Sequence, residues 1–289
     1  MSNGICKRQN EAKCIMMLAA QRELYNSAAR LDLVGFVLSV ILPVTFSFLP
    51  GFGASWDWIR YLSYGLSVLM LFASNAISRA CKSKKSLAAS IQNEFDIYVY
   101  QMPWSKNLFG PRKNLNAEIA EYSQKILNNE KQKGDLVNWF TSPVDDMPLE
   151  KGILSCQREN INWDSRLRKR YRIYATILCV FLTVSMYAMG IVNNETFQIC
   201  ITRIVFVLPM ARWIITLWNS VSDDIVRLQD LKASFNSIED LNMEELQANQ
   251  KRITDHRKSC VKIPNWFYWL FKDKDENREY SIANIERRL

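Results

Sequence analysis

Leu33–Leu49, LVGFVLSVILPVTFSFL, is the stretch on which the fold turns, for it lies in a run of 24 residues between Asp32 and Asp57 without Lys, Arg, Asp or Glu. A second such run, YLSYGLSVLMLFASNAIS, fills the 18 positions between Arg60 and Arg79. A third, of 22 residues, reaches from Ile173 to Asn194. A helix rises about 1.5 Å per residue and the hydrocarbon core of a bilayer is about 30 Å thick, so each run is long enough to cross it. A fourth apolar and aromatic region, Thr196 to Ser222, is interrupted by Arg203 and Arg212. The runs predict an all-α, polytopic membrane protein with four transmembrane helices in two hairpins and a helical cytoplasmic assembly. A charged, helix-patterned stretch precedes the first run, unlike the start of a secretory signal. Runs without a polar stripe are also hard to place in a soluble core.

Basic residues set the orientation. Arg79, Lys82, Lys84 and Lys85 follow the second run, and Arg166, Arg168, Lys169, Arg170 and Arg172 precede the third. Lys and Arg beside membrane spans stay on the cytoplasmic side, which puts the intervening segment there. Short hairpin connections then return both termini to the cytoplasm, in keeping with Arg22 and Arg30 before the first run. The expected organisation is a cytoplasmic N-terminal helix (1–32), a first transmembrane hairpin (33–78), a cytoplasmic helical insert (79–172), a second hairpin (173–222) and a cytoplasmic helical tail (223–289). Thiols at Cys6, Cys14, Cys81, Cys156 and Cys260 suit a reducing compartment.

Composition narrows the chemistry. The 289 residues hold 37 Lys and Arg against 29 Asp and Glu, a net charge of +8, with seven Cys and one His. A single His argues against His-based metal sites and His-dependent triads, and Cys without CxxC pairs argue against a zinc ribbon. GxxxxGK[ST], GxSxG, HExxH and an EF-hand loop are all absent. We therefore expect no enzyme activity, no catalytic residue, no metal and no cofactor. The positive charge is concentrated in the insert, which has 17 basic and 11 acidic residues, whereas the tail has 12 and 13. That excess serves as a flank attracted to anionic lipid, or as a site for an anionic ligand. Asp145–Asp146 and Asp223–Asp224 read as helix-start or surface charges.

The insert and tail are patterned as helices. KSLAASIQNEFDIYVYQ continues the second span until Pro103 stops it. Leu115, Ile119, Tyr122 and Ile126 mark an amphipathic helix, and Pro148 opens another that leads through Ile153, Ile161 and Leu167 into the third span. Ile225, Leu228, Leu231 and Phe235 extend the fourth. PNWFYWLF, Pro264 to Phe271, reads as a membrane-interface anchor or as packing against these helices. An Arg at a membrane centre costs about 2.5–3.5 kcal/mol and usually faces protein or water, so Arg203 and Arg212 are candidate pore residues or snorkel to headgroups. Nine positions apart, they point to opposite faces of a straight helix.

Arg8-Gln9-Asn10 with Ala20-Gln21-Arg22-x-Leu24-Tyr25 before the first span, and Cys156-Gln157-Arg158-x-Asn160-x-x-Trp163-Asp164-x-x-Leu167-Arg168 before the third, resemble the SMODS-associated four-transmembrane effector family. The resemblance covers nearly the whole chain. It implies a bacterial anti-phage effector of the inner membrane, encoded with a cyclic-oligonucleotide synthase, that damages the membrane and kills or arrests the infected cell. A messenger with several phosphates needs cations, and its bases need aromatic or guanidinium planes, which makes Gln157, Arg158, Asn160, Trp163 and Arg168 candidate ligand-binding residues. The same motif has a structural reading, in which Arg158, Asn160 and Asp164 bond Gln9, Asn10, Gln21 and Arg22 and couple the hairpins.

The combined expectation is a pore-forming effector gated by a cyclic oligonucleotide, with the lipid bilayer and further copies of the chain as partners and no DNA or RNA polymer among them. Four helices leave no wide channel between them, so several copies are required. The alternatives are a constitutive ion channel or transporter, and a membrane-anchored interaction protein.

Overall fold

The computed structural model describes residues 2–42, 45, 57–192, 196–236 and 241–288; at 39, 57–64, 66–72, 74, 189, 197–207 and 209 it describes the backbone alone. Among the described residues the chain is helical and contains no strand. The helices are α1 (Ile5–Gln9), α2 (Ala12–Phe36, followed by a π-helical turn over Val37–Ile41), α3 (Asp57–Tyr100), α4 (Lys106–Phe109), α5 (Asn116–Leu127) and α6 (Glu130–Gly134). After a 3₁₀ turn at Ser142–Asp146 come α7 (Leu149–Val192), α8 (Phe197–Asn236), α9 (Met243–Ser259), α10 (Asn265–Trp269) and α11 (Lys272–Arg288).

The continuity read from the apolar periods is present. α3 and α7 each run for 44 residues, and α8 for 40, without a break between apolar stretch and polar assembly. α3 stops where Gln101 adopts φ 54° in the left-handed region, two residues before Pro103. α9 opens on Asn242, whose Oδ1 accepts from Glu245 N at 3.0 Å, with Glu244 and Glu245 in its first turn and His256, Arg257 and Lys258 in its last. That arrangement satisfies an orphan donor and complements the helix dipole at both ends. The first turn of α7 passes so close to the preceding turn that a Cβ at Gly152 would sit 2.9 Å from the Val144 carbonyl oxygen.

The largest core joins α1, α2, α3 and the start of α7, with Ile5, Leu18, Phe95, Tyr100, Phe140 and Ile153 all essentially inaccessible. The Phe140 ring packs on Tyr100 and Phe95 at centroid distances of 5.6 and 6.1 Å. α9 packs against α3, α7 and α8: Leu246 enters the first core, while Ile253 joins Ile161, Leu228, Leu231 and Phe235 in a second. Beyond these, α7 and α8 stay together through Ala175, Leu217 and Val221. Val40 from the end of α2 then meets Cys179 and Met210, and Phe36 packs on Trp213 at 4.7 Å.

Among the described residues one helix, α7, is long and apolar enough to cross a membrane. From Ile173 onward its outer face is apolar: Ile177, Phe181 and Val184 are about 60% exposed, and Ile173 and Val180 more than half. Most positions of the expected spans within 33–56 and 61–78, and positions 197–207 and 209 of the fourth, have a placement or side chains outside the described residues. In PNWFYWLF the packing reading holds for Phe267. Phe267 is buried against Tyr171 and Tyr174, whereas Trp266, Trp269 and Leu270 face outward.

Candidate functional site: a buried charged knot at the roots of the long helices

Three polar clusters join α7 to its neighbours. The first centres on Arg168, which is 3% exposed. Its Nε donates to Asp164 Oδ2 at 3.0 Å, and Nη1 donates to Asp224 Oδ2 of α8 at 2.6 Å and to the Val261 carbonyl at 2.9 Å. Asp224 also accepts from Val261 N at 2.8 Å and from Arg227. His256 of α9 reaches Asp164 Oδ2 through Nε2 at 2.8 Å. Burial alone would raise the Asp164 carboxyl, but Arg168 and His256 overcome it and hold the group well below the usual carboxylate range. Burial likewise opposes charge on Arg168, and Asp164, Cys260 and Asp224 reverse this, so the guanidinium is held more firmly than in water.

The second cluster is deeper. Asp96 of α3, inaccessible to solvent, accepts from Arg257 and, at 2.9 Å, from Gln250 Nε2, both on α9. Thr254 Oγ1 donates to Asn93 Oδ1 at 2.8 Å. Gln157 closes the cluster from α7, donating through Nε2 to the Leu246 carbonyl at 2.9 Å and to Gln250 Oε1 at 3.3 Å. The third cluster fastens α11 to α7. Asp275, 1% exposed, accepts from Arg166 Nε at 3.2 Å and from both terminal nitrogens of Arg170, at 2.7 and 3.1 Å. Glu279 pairs with Arg166, and Glu286 accepts from Ser155 Oγ at 2.6 Å and Arg158 Nη1 at 3.3 Å.

The five residues expected to bind a ligand thus lie along one helix, each in its own setting. Gln157 and Arg168 are buried and committed to protein partners. Asn160 Nδ2 is buried with no hydrogen-bond partner among the described residues. Arg158 sits between Glu286 and the Phe235 carbonyl, 3.3 Å from each. Trp163 stacks on Tyr268 at 5.4 Å with an interplanar angle of 25°.

The expected bonding between the two juxtamembrane motifs takes a different form. The N-terminal motif grips the loop before α7: Gln9 Oε1 accepts from Phe140 N at 2.7 Å, and Asn10 Oδ1 from Asn138 N at 2.9 Å. Arg22 donates to the Gln132 and Asp135 carbonyls at 3.2 and 3.3 Å, while Gln21 is buried with no partner for its Oε1 among the described residues. The α7 motif, including Asp164, bonds α8, α9 and α11 instead. α9 is the reason, since it lies against the polar side of α7 and supplies the groups expected from the N-terminal helix. Asp224 corrects the reading of the acidic pairs as surface charges, because it is buried at the hub while its neighbour Asp223 is exposed. Asp96, His256, Arg257, Asp275 and Glu279 are further members that sequence reasoning missed.

Arg212, in the apolar part of α8, is exposed. The Arg203 side chain lies outside the described residues.

A model of the family described as SMODS-associating 4TM effector domain matches residues 3–284, nearly the whole chain. The chain belongs to that family. Its span takes in both juxtamembrane motifs and all of the three polar clusters except Glu286, so nearly the whole knot is part of the family domain. A probable CBASS effector molecule of Bacillus cereus strain VD146 is 25% identical over 294 residues, covering 96% of each chain. No solved structure matches.

Proposed function

We propose that this member of the effector family acts in anti-phage defence as a non-enzymatic, membrane-permeabilising effector in a bacterial inner membrane. Its four spans lie within 33–78 and 173–222, and residues 1–32, 79–172 and 223–289 form the cytoplasmic part. A cyclic oligonucleotide gates it, and several copies act together. The observation that carries this reading is the unbroken passage of α3, α7 and α8 from apolar stretch into one buried charged knot. Packed interfaces switch between discrete arrangements, so a change at the knot moves the long helices as rigid levers. Arg158, Asn160 and Trp163 are the half-buried members of the ligand-binding set. A phosphate competes with Glu286 for Arg158, and a base competes with Tyr268 for the Trp163 ring. Gln157 and Arg168 are buried beneath them, where displaced acidic partners alter how α8, α9 and α11 sit on α7. The ligand shifts the population only through tighter binding to the rearranged form.

The test is membrane potential in bacteria expressing the chain with an active cyclic-oligonucleotide synthase or with a catalytically dead one. The reading predicts depolarisation and growth arrest with the active synthase alone. Depolarisation with both would favour a constitutive channel, and polarised cells in both would contradict permeabilisation.

A further inference from the structure

The geometry points to one face of α8 as the seam along which copies of this chain meet in the membrane, with Arg212 turned to a water-filled space between them. At about 100° per residue, Arg212, Thr216, Asn219 and Asp223 fall within about 60° of one another. All four are exposed, and Leu208 and Ile215, 58% and 60% exposed, flank the same stripe. The opposite side of the helix, with Met210, Leu217 and Val221, is buried against α7. The intervals along the stripe are four, three and four, the alternation that keeps a helix seam facing a partner.

Depth makes the stripe informative. Arg172, just before the apolar run of α7, donates from Nη1 to Ser222 Oγ at 2.8 Å and lies over the Trp218 ring at 4.4 Å. A cation beside a Trp at the end of an apolar run marks the headgroup level. Arg212 is ten positions further along α8, about 15 Å deeper and therefore near the centre of a core about 30 Å thick. No hydrogen bond or ion pair of Arg212 is seen among the described residues. A guanidinium at that depth usually faces protein or water rather than acyl chains. The outer face of α7 offers the contrast, since Ile177, Phe181 and Val184 are apolar and exposed, as a lipid-facing side is.

A second copy fits the stripe better than any other occupant. Copies inserted with one topology bring like residues to one depth, and the Thr hydroxyl and Asn amide each donate and accept, so Thr216 and Asn219 complement themselves. Arg212 does not, because like charges at one depth repel, and its ring of copies needs water between them. The inference rests on the permeabilising, oligomeric reading given above.

The test is thiol crosslinking of the full-length chain in proteoliposomes with a short bismaleimide, alongside dye release from the same vesicles. Thr216→Cys and Asn219→Cys are expected to give several-fold more crosslinked dimer than the wild-type chain, whose native thiols set the background. Phe181→Cys, on the outer face of α7, is expected to match wild type. Both stripe positions are exposed, so neither substitution disturbs the packed side of α8. Dimers at Phe181→Cys alone, or at none of the three, would overturn the assignment. Dimers at the stripe in vesicles that never leak would leave this face standing and contradict permeabilisation; leakage with dimers only at Phe181→Cys would do the reverse.

Discussion

Arg168 illustrates how one residue ties three helices together. Its guanidinium contacts a carboxylate of its own helix, a carboxylate of α8 and the chain beyond α9, all with almost no access to water. Removing one partner of a buried pair strands the other charge, at a typical cost of about 3–5 kcal/mol. Asp224→Ala is therefore expected to lower the unfolding temperature in detergent by many degrees, whereas Asp223→Ala next to it leaves it nearly unchanged. Equal effects at the two positions would show that Asp224 is not the hub.

Glu159 of α7 gives a prediction of pH dependence. Its carboxyl accepts from Thr141 N and Oγ1 at 3.4 and 3.2 Å, and burial pushes its pKa from 4.5 up to about 8. Between those values the folded chain holds a proton that the unfolded chain has lost. Stability from this group is therefore full below pH 4.5 and is lost as pH rises through about 8. Glu159→Gln stays neutral throughout, and its unfolding temperature is expected to fall less than that of wild type across the same window. Parallel curves for the two proteins would refute the assignment.

At the scale of elements, α11 is held to α7 mainly by charge. Ala283 is its one buried hydrophobic residue, while Asp275 and Glu279 are buried as partners of Arg166 and Arg170. Asp275→Asn weakens both arginine contacts, and amide hydrogen exchange over Lys272–Arg288 is expected to speed up while Asn93–Tyr100 in the core stays protected. Unchanged exchange in α11 would mean that other contacts hold it. The long helices were legible in the sequence because the periods of Ile153, Ile161 and Leu167, and of Ile225, Leu228 and Leu231, run on past the apolar runs, with Pro103 and Pro148 supplying the breaks. The partners of the knot were not. Arg257 and Asp96 are 161 positions apart, and no local pattern reports which face of α9 will meet α3. Asp224 did carry a signal, since it shares a helix face with Leu217, Val221 and Leu228, but reading it as half of an acidic pair concealed that.

In the whole molecule, the polar clusters and the apolar stretches share the same long helices. Leu154 packs against both the Phe140–Tyr100 core and the Ile161–Leu228 core, and a separate cluster of Val40, Cys179 and Met210 keeps the end of α2 in contact with α7 and α8 beyond the polar assembly. α9 and α11 both pack on α7, which runs on into the apolar region, so on the proposed reading a displacement of either is passed along that helix. Permeability and knot integrity should then be coupled: Arg158→Ala, which removes the contact with Glu286, is expected to change the messenger concentration needed for leakage several-fold without unfolding the chain. An unaltered dose response would remove Arg158 from the ligand site. The most direct measurement is dye and ion release from proteoliposomes holding the purified full-length chain, with and without a panel of cyclic di- and trinucleotides. Release with one of these messengers and none without is the predicted result. Intact vesicles with every messenger, from correctly inserted protein, would contradict the account.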